Sequence, residues 1–414
     1  MKFCMITSFF GAHSFGGDAV YVERLSEALV RRGHEVHVVH SSGAFESLRG
    51  RQPLRKYQPP SGLWVHDLGS GFKETLGIVW SHQSGGTAFR GQALARLLGE
   101  HAFDVIHLHN ISLLGGRRLP GLLAARTAAI KLATLHDYWW VCPQSLLWKY
   151  GREVCDSAAC VSCSVLAWRP PQLWRSIGWF NDALGRLDAL LFPSRRAMEI
   201  YRVRGLKHHR QRLLPGLIPD VCAAGGASNP AAGGRPYFAA AGRLVIEKGF
   251  QTLIPLMRHL PESDLFIAGS GPAGSFLQQL AHDAPNVRFL GMLDTRQVSA
   301  LFQGARGVVV PSLFEETFCL AAAEALGAGT PVIVRNRGSL PELIAGTGGG
   351  LLFDTDSGLL DHLRSLSSDD ALQNRLSQAA RAGAPGIWRD EGHVEAYLRI
   401  VNDLCQSRGK SAEV

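Results

Sequence analysis

Short, nearly uninterrupted apolar runs alternate with helical patterns along the whole chain. The first half carries "FCMITSF", "EVHVVHS", "VIHLHN", "KLATLHD" and "ALLFPS"; the second carries "YFAAAGR", "DLFIAGS", "VRFLG", "GVVVPS" and "TPVIVRN". Runs this short and this continuously apolar predict strands buried on both faces, and therefore parallel sheets covered by helices. Ten such runs are too many for one ordinary sheet, so the pattern predicts an α/β chain with two doubly wound domains.

The stretch "LPGLIPDVCAAGGASNPAAGGRP" (214–236) is rich in Gly, Pro, Ala and Asn and has no periodicity, which marks the join. The expected divisions are an N-terminal domain over 1–213, a linker over 214–236, a C-terminal domain over 237–386, and a helix with a tail over 387–414. In that last segment Val394, Tyr397, Leu398 and Val401 fall on one helix face. The opening "MKFCMITSFFGA" imitates a short signal peptide, but it leads directly into loop, amphipathic helix and second strand. It reads as the first buried strand. No run of 18 apolar residues appears, so no membrane-spanning helix is expected.

Composition changes the picture in three places. With 414 residues, a prior of roughly 150 residues per domain allows two or three domains, each with its own core. The formal net charge of +8 has a local source. Residues 165–214 carry nine Arg and one Lys against Asp182, Asp188 and Glu199. That face is either simply solvated or attractive to anionic headgroups or an anionic substrate; no recognition motif accompanies it, which argues against nucleic acid. Finally, Cys142, Cys155, Cys160 and Cys163 are spaced C-x12-C-x4-C-x2-C. The spacing is compatible with a structural zinc knot and equally with reduced thiols packed in an insertion over about 138–180.

Ligands of open parallel sheets bind beyond the carboxyl ends of the strands, so the segments that follow each strand hold the candidate chemistry. After the first strand, Gly16 and Gly17 permit close backbone approach, and Asp18 is placed to cap the following helix, an arrangement suited to an anion. It is not G-x-G-x-x-G, and no acid ends the second strand, which counts against a dinucleotide oxidoreductase. After "YFAAA", Gly242, Arg243 and Lys248 open a helix; a guanidinium fork and a point charge beside free amides are what a diphosphate requires. Gly269 and Gly271 follow the next strand and would let a planar base approach the backbone, with Met292 and Leu293 further on as base contacts. In "PSLFEETFCLAAAEALGAGTPVIV", a helix is expected to start near Thr317–Cys319. Glu316 then stands in the loop before it, and Glu324 sits inside it. No i,i+4 salt-bridge partner for Glu324 stands at 320 or 328, so a ligand role is favoured over a solvated pair.

"GRLVIEKG", followed by that segment and by "RGSLPELI", resembles the family 4 retaining glycosyltransferases, and "FGG", "HEVHVV", "DVIHLH" and "TLHDYW" extend the likeness to the first half. The resemblance implies the GT-B fold, two Rossmann-like domains facing a cleft, with the C-terminal helix returning to the first. It implies a UDP- or GDP-sugar as donor substrate and no cofactor required for catalysis. Arg243 and Lys248 would hold the diphosphate, and Glu324 the ribose. Glu316, Thr317 and the amides of Phe318, Cys319 and Leu320 would meet the donor sugar and phosphate. Gly17 would approach the phosphates, and His136 would lie near the transferred sugar. His109, Asp137, Trp139 and Trp140 are acceptor-side candidates. Thr317 and Cys319 stand where the family pattern has Gly. Six of the nine tryptophans lie within 138–180, forming a sugar platform, a membrane-surface strip or an apolar lid. The expected acceptor is a lipid-linked, glycan or small natural-product molecule, and the expected location is cytoplasmic, peripheral on the inner membrane face. A phosphorylase or epimerase of the same fold, or a non-catalytic nucleotide-sugar or membrane-binding module, are the competing readings.

Overall fold

The computed structural model describes residues 1–14, 16–50, 52–53, 55–69, 72–87, 90–176, 179–219 and 234–411. The linker expected at 214–236 falls largely outside them. The chain divides into two compact units. One comprises Met1–Ser145, Ala158–Leu217 and Asp390–Val414, the other Leu146–Ser157 and Ile218–Arg389.

In the first unit, β1 (Lys2–Ile6), β2 (Glu35–His40), β3 (Leu63–Asp67), β4 (Val105–Leu108) and β5 (Ile130–Thr134) belong to one sheet. A short hairpin of β6 (Trp148–Lys149) and β7 (Glu153–Val154) belongs to the other unit; β8 (Ala189–Phe192) and β9 (Gln211–Leu213) complete the first sheet. Its order is β3-β2-β1-β4-β5-β8-β9, and every pairing is parallel. The C-terminal helix Asp390–Ser411 packs on helix Gly17–Arg31 and buries Val394, Tyr397, Val401 and Leu404. It thus returns to the N-terminal unit as expected.

In the second unit, β10 (Tyr237–Ala241), β11 (Asp264–Ala268), β12 (Val287–Gly291), β13 (Gly307–Val310), β14 (Val332–Arg335) and β15 (Gly350–Phe353) form a parallel sheet of order β12-β11-β10-β13-β14-β15. Tyr237 and Ala239 face one core while Phe238 and Ala240 face another, so helices cover both sides. Both sheets reverse direction of growth beside their first strand, the doubly wound arrangement that opens a crevice there.

All ten apolar runs are strands. The strands that no run announced are β3, β9, β15 and the hairpin. β3, β9 and β15 are partly exposed edge strands, and exposure removes the continuous apolar signal. Among the described residues no helix is long and apolar enough to cross a membrane.

Candidate active site

In the second unit the crevice lies beyond β10 and β13, and the loops that follow these strands are locked together. Gly249 ends the short turn Ile246–Lys248 with φ 76°, and a Cβ there would run into the Pro311 carbonyl. Only glycine lets the two loops touch. The Leu313 amide then donates to the Glu247 carbonyl at 2.8 Å. This contact delivers Lys248 Nζ to Glu316 Oε1 at 2.7 Å, and the Ser312 hydroxyl donates to the same oxygen at 2.7 Å. Glu316 is buried, and a quarter of the Lys248 side chain remains exposed. The Lys248 ammonium also lies 5.3 Å from the centre of the Phe314 ring. Burial works against its charge, but the Glu316 carboxylate outweighs that and holds the lysine above its ordinary range. Arg243, half-exposed, reaches Glu247 at 3.6 Å.

Glu316 is itself clamped from behind. The Ser339 amide donates to the Glu316 carbonyl at 2.9 Å, and Gly338, at φ 60°, leaves no room for a Cβ against the Glu316 backbone. The motif "RGSLPELI" therefore does positional work that sequence reading did not assign, and Ser312 was missed outright. The helix runs Leu320–Gly327, later than expected, with Cys319 as N-cap and no side-chain cap bond. The first-turn amides of Ala321 and Ala322 face the Cys319 sulfur. Cys319 has φ −96°, and Thr317 is not among the positive-φ residues, so neither needs the glycine of the family pattern. Burial pushes the Cys319 thiol up to about 12, which keeps it protonated.

Glu324 lines a shallow, open recess with Ile218, Pro219, Thr295, Ser299, Gly327 and Ala328. Met292 is largely exposed, and Leu293 packs on the core that also holds Phe318. Gly269 and Gly271 are also required by packing: a Cβ at either would run into the Gly242 or Leu244 carbonyl. They are small so that the loop after β11 can lie on the loop after β10, where the Leu244 amide donates to the Ser270 carbonyl at 3.0 Å.

The first unit has its own crevice beyond β1 and β4. Gly16 (φ 93°) is the N-cap of helix Gly17–Arg31, and both glycines are exposed. Asp18 does not cap; its carboxylate accepts from Asn110 Nδ2 at 2.9 Å instead. At the ends of β4 and β5, His109 Nδ1 and His136 Nε2 share a hydrogen bond of 3.0 Å, and the Tyr21 ring stands edge-on to His136 with centroids 4.9 Å apart. Burial lowers His136 to about 3 and His109 well below the usual imidazole range, so both are neutral near pH 7. His107 is bonded on both sides, to the Thr134 hydroxyl at 2.8 Å and the Tyr397 hydroxyl at 3.1 Å, and is structural. Asp137 accepts from the Trp139 amide at 2.8 Å, and burial raises its carboxyl to about 7. Trp139 and Trp140 are buried against each other and Trp179, with the Arg175 guanidinium 4.7 Å from the Trp139 ring centre. Their rings serve this cluster rather than presenting open faces. Among the described residues Cys142, Cys155, Cys160 and Cys163 form no metal-ligand grouping.

The description "Glycosyltransferase Family 4" matches residues 15–219, and "Glycosyl transferases group 1" matches residues 227–383. The chain belongs to the family 4 glycosyltransferases. A D-inositol 3-phosphate glycosyltransferase of Xylanimonas cellulosilytica is 28% identical over 408 residues, covering 92% of this chain and 90% of that relative. A GDP-mannose-dependent alpha-mannosyltransferase of Mycolicibacterium smegmatis is 28% identical over 391 residues, covering 91% and 92%. Among solved structures, sucrose-phosphate synthase of Thermosynechococcus elongatus aligns over 98% of this chain and 100% of its own with TM-score 0.74 at 19% identity. The glycosyltransferase therefore has the GT-B fold, and its two Rossmann-like domains are the two units described above.

Proposed function

We propose that this glycosyltransferase transfers a sugar from a nucleoside-diphosphate donor, a UDP- or GDP-sugar, to a glycan, lipid-linked or small natural-product acceptor with retention of anomeric configuration. The observation that carries the reading is the Lys248–Glu316–Ser312 constellation beside Arg243, at the carboxyl ends of β10 and β13. Cleavage of the anomeric C–O bond leaves negative charge on the diphosphate. Lys248, the Arg243 fork and the first amides of helix Leu320–Gly327 stabilise that charge without having to reorganise. The acceptor oxygen forms the new C–O bond on the same face, and its proton passes to the departing phosphate oxygen. Glu316 then acts by holding Lys248 in place. Glu324 accepts from the ribose hydroxyls, Met292 and Leu293 flank the base, and neutral His136 hydrogen-bonds the transferred sugar. The relative named for GDP-mannose dependence supports a nucleotide-sugar donor.

The test is nucleotide release from UDP- and GDP-sugars over a panel of acceptors, with the product anomer assigned by NMR. Turnover of one donor with retained configuration is expected. A donor-induced thermal shift without turnover under any acceptor would instead favour a binding module.

A further inference from the structure

Across β2, β3 and the segment that enters β4, three imidazoles converge, and the chemistry proposed above uses none of them. His37 on β2 is buried, and His66 on β3 and His101 before β4 are half-buried. His37 Nε2 lies 2.9 Å from Glu35 Oε1, and its Nδ1 lies 2.8 Å from His66 Nε2. A carboxylate only accepts, so the His37 proton sits on Nε2 and Nδ1 carries a lone pair aimed at His66. The His101 ring centre is 4.5 Å from that of His37, and one ligand nitrogen from each of the three residues lies within 4.8 Å of the others.

We infer that His37, His66 and His101 form a binding site for a divalent transition-metal ion of the imidazole-seeking kind, Zn²⁺ or Ni²⁺, with Glu35 orienting His37 from behind. Metal-bound imidazoles characteristically donate their second nitrogen to a carboxylate, which Glu35 already provides. Coordination at about 2.0–2.1 Å per nitrogen places tetrahedral ligand atoms roughly 3.3 Å apart. The His37–His66 pair therefore opens by about 0.5 Å and His101 closes by about 1.5 Å. The ion replaces the shared proton, which moves to His66 Nδ1. Lys2 is the counter-pressure: its ammonium contacts Glu35 at 2.8 Å and His101 Nδ1 at 3.2 Å, and it must withdraw from the latter. Bound metal would tie edge strand β3 to β2 and to the segment entering β4.

The experiment titrates the metal-stripped full chain with Zn²⁺ and with Ni²⁺ by calorimetry, alongside His66→Ala, His101→Ala, Glu35→Gln and Lys2→Met. Thermal unfolding without metal confirms that each variant is folded. One ion per chain is expected, with affinity lost by tenfold or more in either histidine variant and by roughly tenfold in Glu35→Gln. Lys2→Met should bind more tightly, because a like charge beside the ion is gone. Undiminished binding in His66→Ala or His101→Ala, as when the cysteines take the ion, overturns the site, as does the absence of micromolar binding.

Discussion

Lys248 and Glu316 form a part-buried pair, and the two halves of its role separate by mutation. Lys248→Ala should cut nucleotide release by about 10²–10³ through loss of charge opposite the leaving group. It also leaves Glu316 buried with the Ser312 hydroxyl, a loss of stability of about 3 kcal/mol. Adding Glu316→Gln should restore the melting temperature without restoring turnover; recovery of turnover in the double variant would remove the electrostatic role. The buried imidazoles predict a pH dependence. His107, His109 and His136 are all lowered, the last from 6.5 to about 3. Across that interval the unfolded chain binds protons that the folded chain refuses, so stability should rise as pH climbs from 4 to 6.5. Asp137, raised to about 7, acts with the opposite sign across that whole window but is one group against three. Denaturant titrations at several pH values read the slope, and His136→Gln should flatten it.

The loops after β10 and β13 hold the site by backbone contact, so their glycines are sensitive positions. Gly249→Ala places a methyl against the Pro311 carbonyl at φ 76° and should cost about 2 kcal/mol while shifting Lys248 away from Glu316. Gly346→Ala is the control: it lies inside helix Leu340–Thr347, a Cβ there meets nothing within 4 Å, and the change should be neutral or slightly stabilising. Thermal melts and turnover, measured together, distinguish a loop that merely connects from one that positions a cation. The alanine-rich helix Leu320–Gly327 belongs to the same argument, because Ala322, Ala323 and Ala325 let it sit close on the core.

Each unit encloses its own core, yet the first is completed only by residues from the far end of the chain. Tyr397 is fully buried and bonds His107, while His393 Nε2 shares a hydrogen bond of 2.9 Å with the Tyr21 hydroxyl. Arg408 grips both carboxylate oxygens of Asp188, at 2.8 and 2.7 Å. Truncation after Arg389 should therefore destabilise the N-terminal unit and spare the second. Tyr397→Ala alone should cost that unit about 3 kcal/mol. Calorimetry resolving two transitions checks this, the one expected to fall belonging to residues of the first unit.

Continuous apolar runs announced the central strands of both sheets, because a strand buried on both faces has no polar alternation. The edge strands β3, β9 and β15 and the hairpin left no such mark, although edge strand β12 kept its run. Arg243, Lys248 and Glu316 stand out in the sequence because each lies in the loop after a strand, where a parallel sheet directs its ligands, and Glu324 because it sits inside the helix that follows. Spacing along the chain could not show that Ser312 and Ser339 serve Glu316, that Gly269 and Gly271 accommodate a neighbouring carbonyl, or that Trp139 and Trp140 pack inward. Those facts depend on which loops touch. Local propensity reports on burial and turn geometry within a few residues, whereas partners 68 positions apart, such as Lys248 and Glu316, meet only after the sheet has set its strand order.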